Sequence, residues 1–296
     1  MSAPDQLLVV IDPVARRTDG ESVRIARDVL CAGAAARVCL PDTPDEFARA
    51  LARRGSRRPV VIGDDRALVR AVGLLHGAGE AGGPALSLVP VGPRESVRLA
   101  VSLGVPPGAV TAARAVLDGV ERRLDLLVDD GGGVVVGGLR IPDGPPRPRP
   151  PGAPESRFRP GGGDPLAPTV WGTCRSLVRT LVGPVPPRVP QTRGHRLRVE
   201  ADGRLLRDVD DPVEGVTVVS RDGSAEVVVR PRAAEPLRWA ARTVTVTGAA
   251  GRGFHYRADA EPSGPVPERT WTVRPAAWAL LVPAPAPAPA PAREGR

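Results

Sequence analysis

The first 130 residues alternate short apolar runs with segments of helical periodicity, and this alternation constrains the fold more than any other feature. Apolar stretches at 7–11, 36–40, 60–62, 86–91 and 123–128 are separated by helix-like segments at 22–32, 43–54, 65–76, 95–103 and 109–117. Strands apolar on both faces and joined by helices build a mostly parallel sheet, because each crossover lays its helix on a sheet face. The expected class is α/β, with a doubly wound N-terminal sheet. One helix boundary is well specified: Thr43, Pro44 and Glu46 form a capping box with proline in the first turn, and Gly55 closes the helix.

Beyond residue 130 the pattern changes. Residues 142–168 are rich in proline and glycine, which build neither helix nor central strand, so a loop of polyproline II character is expected. A helix-like segment at 169–181 follows. Thereafter the pattern is that of antiparallel β-structure: hairpins around Asp202–Gly203 and Asp222–Gly223, then strands at 242–248, 253–259, 269–275 and 278–283. The division predicted is an α/β domain over 1–130, a β-rich domain over 131–282 and a Pro-Ala tail over 283–296.

A net charge of +8 and a pI near 10.9 would normally point to a polyanionic partner. All 41 basic residues are arginine, however, as the coding bias of a GC-rich genome would produce, and they are interspersed with acids. No recognised motif accompanies the charge, and no nucleic-acid partner is expected. Cys31, Cys39 and Cys174 are too few and too scattered for a disulfide framework or a zinc site. The N-terminus lacks a basic segment followed by a long apolar one, and no stretch approaches the length of a membrane span, so a cytoplasmic location is expected.

Ligands bind parallel sheets at the carboxyl ends of strands, which directs attention to three strand-to-helix corners. They are Asp12-Pro13, Ile62-Gly63-Asp64-Asp65-Arg66, and Pro90-Val91-Gly92-Pro93-Arg94-Glu95. Read from the residues alone, Asp12-Pro13 is a strand-ending turn or a contact to ligand, and Asp64 a helix N-cap or a contact to phosphate or magnesium. His76 reads as a helix-terminal residue, and His195 and His255 have no nucleophile or second ligand at useful spacing.

The order of these corners resembles the diacylglycerol kinase catalytic domain family, which includes sphingosine kinases and bacterial lipid kinases and is related in fold to NAD kinases. That family has an Asn-Pro corner, a Gly-Gly-Asp-Gly-Thr loop and a Pro-x-Gly-Thr-Gly-Asn loop. The match continues through Leu103-Gly104-Val105-Pro106, through the strand at 120–128 with Asp125, and into Asp259-Ala260-Glu261, where the family carries Asp-Gly-Glu. No single motif is intact.

The resemblance implies ATP and Mg²⁺ as cofactors and a membrane lipid such as diacylglycerol as acceptor, reached by a peripheral membrane contact. It places Asp12, Gly63, Asp64, Arg66 and Gly92 at the nucleotide, Glu261 as the base for the lipid hydroxyl, and Asp259 beside it. The residues of a metal site and the oligomeric state are not specified. The departures carry chemistry of their own. Asp65 and Arg66 replace the last glycine and the threonine of the phosphate loop, one repelling a triphosphate and the other attracting it, and Pro93 removes a backbone donor. Two functions therefore stand open: an ATP-dependent lipid kinase weakened by its loops, or an inactive member that binds a lipid, a nucleotide or a protein.

Overall fold

The computed structural model describes residues 6–79, 83–142, 194–232, 234–259 and 261–285. The predicted helix at 169–181, Trp171, Cys174, Ala260, the loop beyond residue 142 and the tail from residue 286 lie outside the described residues. The N-terminal half runs β1 (Gln6–Ile11), α1 (Pro13–Thr18), α2 (Gly20–Gly33), β2 (Ala35–Cys39), α3 (Pro44–Ala52), β3 (Arg58–Gly63) and α4 (Asp65–Gly77). It continues through β4 (Ser87–Pro90), a 3-10 turn at Arg94–Val97, α5 (Arg98–Ser102) and α6 (Ala109–Asp118). The strands form an all-parallel sheet in the order β2-β1-β3-β4. Residues 7–11 of the inner strand β1 are each no more than 2% exposed, as a strand covered on both faces requires.

The expected capping box forms with one change of partner. Thr43 accepts from the Glu46 N–H at 3.2 Å, but the Glu46 carboxylate accepts from the Asp42 N–H at 2.8 Å rather than from that of Thr43. The Asp12-Pro13 corner opens α1, a short helix with no counterpart in the predicted elements, instead of forming a turn.

Among the described residues, twelve further strands follow: β5 (Val120–Asp129), β6 (Val134–Val135), β7 (Leu139–Ile141), β8 (Leu197–Ala201), β9 (Arg204–Arg207) and β10 (Val213–Arg221), then β11 (Ser224–Pro231), β12 (Leu237–Ala241), β13 (Thr243–Gly248), β14 (Phe254–Ala258), β15 (Glu261–Val266) and β16 (Glu268–Val282). They make two six-stranded sheets, β12-β11-β10-β7-β14-β15 and β6-β5-β16-β13-β8-β9. The sheets enclose a core that includes Val199, Val216, Val227, Val246, Tyr256 and Trp271. Both predicted hairpins form, with Asp202 and Asp222 at positive φ ahead of their glycines.

The strands expected at 269–275 and 278–283 are one continuous strand, β16. Between the pairs Arg274–Leu126 and Trp278–Leu124, three residues of β16 stand against only one of β5, Asp125. Asp125 holds this bulge: its carboxylate accepts from the Ala276 N–H at 2.9 Å and from the Gly223 N–H at the β10–β11 turn at 2.7 Å. Before the bulge, Trp271 and Val273 enter the sandwich core; after it, Trp278, Leu280 and Val282 enter the α/β core. Leu86, just ahead of β4, bridges Leu280, so β16 also borders the parallel sheet. β5 alternates in the same way, with Leu126 in the α/β core and Leu127 in the sandwich.

Candidate functional site

The three corners meet at the carboxyl edge of the parallel sheet, and the first two are each closed by an aspartate. Asp12, 3% exposed, accepts from the Val14 N–H at 2.9 Å and caps α1. Asp64 accepts from the N–H groups of Arg66 and Ala67, both at 3.1 Å, and caps α4. An ionised carboxylate at a helix N-terminus uses the donors and opposes the positive dipole end that would otherwise attract phosphate.

Asp65 does not face the cleft opening, as its position in the loop had suggested. It is buried, and its two oxygens accept from the Leu99 N–H at 2.8 Å and the Ala100 N–H at 2.9 Å, tying the start of α4 to the start of α5. Burial raises its pKa, against the lowering by those two donors, and the neighbouring Asp64 charge adds to the rise. Gly63 is required where it stands: a Cβ there would lie 2.7 Å from that of Ala67 and 3.0 Å from that of Asp12. Gly92 has φ 144°, and a Cβ on it would meet the Ser96 hydroxyl at 2.7 Å.

A cleft of about 480 Å³ lies between α4 and the β14–β15 hairpin. Arg66, Val69 and Arg70 form one wall, Tyr256, Glu261 and Ser263 the other, and Val134 and Val135 belong to its lining. Arg66 Nε reaches Glu261 Oε1 across the cleft at 2.5 Å, with both side chains half exposed or more. Arg70 is held in place by Asp12 Oδ1 at 3.4 Å and by the face of Phe47, with its guanidinium carbon 5.7 Å from the ring centroid. Tyr256 packs edge-on against Trp271 with ring centroids 5.2 Å apart, and burial raises the pKa of its hydroxyl.

Asp259 is committed to the backbone. Its carboxylate accepts from the N–H groups of Val136, Gly137 and Gly138 at 2.8, 2.6 and 3.1 Å, shaping the link between β6 and β7. Burial raises its pKa in spite of those three donors, and the Asp65 charge contributes in the same direction. Asp129, also in the cleft lining, accepts from the N–H groups of Gly131 at 2.9 Å and Gly133 at 2.7 Å.

Of the residues singled out from sequence, Arg66, Asp259 and Glu261 line the cleft, Asp12 and Asp64 cap the helices beside it, and Gly63 and Gly92 permit the close approach of the corners. Arg70, Tyr256 and Ser263 were not singled out. Arg70 follows Arg66 at the i,i+4 spacing that puts both on one helix face, which is the signal that could have found it. Among the described residues, no group of three or more His, Cys, Asp or Glu side chains could hold a metal ion. The residues present do not fit a triphosphate: the helix-start donors at Arg66 and Ala67 are taken by the Asp64 carboxylate, and Arg66 and Arg70 are already paired with Glu261 and Asp12. Among the described residues, no helix is long and apolar enough to cross a membrane. A larger hollow of about 740 Å³, lined in part by His195, Arg252 and His255, includes none of the corner or cleft residues.

No family model matches the chain, and no curated protein matches it. Solved structures do. Two chains from Bacillus anthracis str. Sterne, provisionally described as diacylglycerol kinase, superpose with a TM-score of 0.67 at 11% identity. The alignments cover 95% of this chain and 98% and 96% of those chains. A further structure described as a diacylglycerol kinase of the same strain gives a TM-score of 0.59 at 10% identity over 95% of this chain and 98% of that one. The chain thus shares the fold of those structures, an N-terminal parallel sheet with helices and a C-terminal antiparallel β-rich region.

Proposed function

We propose that this chain is a ligand-binding module built on the diacylglycerol kinase fold, in which the cleft between α4 and the β14–β15 hairpin binds a small anion without transferring phosphate from ATP. The observation that carries this reading is the use of the helix-start donors. A kinase of this fold takes ATP, and phosphoryl transfer depends almost wholly on positioning and on preorganised positive charge. Here the two N–H groups at the start of α4 are bonded to Asp64, and the neighbouring loop position is filled by Asp65, which is fastened to α5. Asp259, beside the residue expected to be the base, is spent on three backbone donors.

One observation favours the kinase reading instead. Arg66, expected on the nucleotide side, and Glu261, expected on the acceptor side, meet across a single cleft, as a phosphate clamp and a general base would have to. Calorimetric titration with Mg²⁺ and ATP, together with a phosphate-transfer assay on diacylglycerol in mixed micelles, separates the two. The expected result is no saturable binding at millimolar ATP and no phosphatidic acid formed. Saturable binding tighter than about 1 mM, or roughly 4 kcal/mol, that weakens in Arg66→Ala and is accompanied by lipid phosphorylation would establish the kinase.

A further inference from the structure

We propose that the cleft ligand is a phosphomonoester dianion gripped by Arg66 and Arg70, and that Glu261 occupies its place in the free protein. This rests on the reading of the cleft as a binding site and adds the chemistry of its occupant.

Arg66 and Arg70 are one helical turn apart on α4 and line the same cleft, so two guanidinium groups converge on one space. Arg70 is oriented in advance by Asp12 and the Phe47 ring, which lowers the cost of fixing it on a ligand. The opposite wall supplies the polar side chains of Tyr256 and Ser263, and Val134, Val135 and Ala258 give the lining an apolar part. A cavity of about 480 Å³ with two forked cations suits a compact anion carrying a short organic group.

Glu261 marks where the anion sits. The carboxylates of Asp12, Asp64, Asp129 and Asp259 each accept from backbone N–H groups, Asp12 also holding Arg70 from behind its own helix cap, whereas Glu261 reaches across the cleft to the guanidinium of Arg66. An exposed carboxylate–guanidinium pair is weak, while a doubly charged phosphate can accept from two guanidinium forks at once. The ligand therefore displaces Glu261 and leaves that carboxylate free at the cleft mouth.

Such a phosphate can be presented by a soluble ester or by a lipid headgroup. The test is calorimetric titration of the full chain with glycerol 3-phosphate, and a flotation assay with phosphatidylcholine vesicles with and without phosphatidic acid. Glycerol 3-phosphate is expected to bind saturably, to bind about two- to fivefold more tightly to Glu261→Gln, and to lose at least about tenfold in affinity with Arg66→Ala and with Arg70→Ala. Arg98→Ala, whose side chain pairs with Glu95 away from the cleft, should change nothing. Flotation that requires both phosphatidic acid and Arg66 identifies the lipid headgroup as the source; calorimetric binding without flotation identifies a soluble ester. Absence of binding in both assays, or affinity indifferent to Arg66 and Arg70, overturns the proposal, and affinity indifferent to Glu261→Gln overturns the displacement. Phosphate transfer from ATP in the earlier assay would refute the non-catalytic reading alone, because this titration contains no ATP.

Discussion

Arg66 and Glu261 join the first helix-start of the cleft to the last hairpin of the chain, across 195 residues of sequence and 2.5 Å of space. The pair is exposed, with side-chain accessibilities of 62% and 50%, so water and salt screen it.

Its contribution to stability should accordingly be small. A double-mutant cycle of Arg66→Ala and Glu261→Gln, followed by urea unfolding, should give a coupling of about 0.2–1 kcal/mol that fades in 0.5 M salt. A coupling of several kcal/mol would mean that the pair is a structural clasp rather than a displaceable one.

Asp64 trades anion affinity for helix stability. Asp64→Ala should cost about 0.5–2 kcal/mol through the lost cap on α4, while phosphate affinity rises because two N–H donors and the positive end of the dipole are released. Thermal melts and calorimetry on the same samples would show the opposed changes; a variant both less stable and no better at binding would remove the cap as the reason for the closed corner.

Asp65 and Asp259 should make the fold gain relative stability in acid. Burial raises both pKa values above the ordinary value of 3.8, so the folded state holds each proton more tightly than the unfolded chain does. Their contribution is fully present below 3.8 and is lost as pH rises through the higher folded values. In urea melts between pH 7 and pH 4, the stability of the natural chain minus that of Asp65→Asn, or minus that of Asp259→Asn, should grow as pH falls. A difference that shrinks instead would show that the backbone donors outweigh burial.

Gly63→Ala should destabilise by about 1–3 kcal/mol, the usual cost of forcing a methyl group into packed surroundings. Its Cβ meets Ala67 and Asp12, neither of which can swing away. Gly77→Ala, where a Cβ would meet nothing within 4 Å, is the control and should be neutral or slightly stabilising.

Four strands of the parallel sheet, the antiparallel region and both Asp-Gly hairpins were legible because each has a local signature: a buried apolar run, a helical repeat, or a turn residue suited to positive φ. The fifth strand expected there, at 123–128, belongs instead to β5, which pairs antiparallel with β16. What remained hidden was set by partners distant in sequence. Asp65 looked like a charge facing phosphate because the Leu99 and Ala100 amides that claim it lie 34 and 35 residues away. Asp125 stood out only through resemblance, and its work on the Gly223 turn and the Ala276 bulge cannot be read from its neighbours. Pro262, Gly264 and Pro265 made β15 look like a turn. It is an edge strand, where proline is tolerated because one side of the backbone has no ladder to supply. Pro275 likewise appeared to divide β16, and the bulge absorbs it.

Because Trp271 and Val273 complete one core and Trp278, Leu280 and Val282 the other, neither half of the molecule can finish folding until the residues of β16 have left the ribosome. Both halves then wait for the same late segment, with β1 and β16 separated by most of the chain, and the closing contacts are among the most non-local it makes. A nascent chain halted before residue 268 would present two unfinished apolar interiors at once, so truncation there should produce a substrate for chaperones rather than a smaller folded protein.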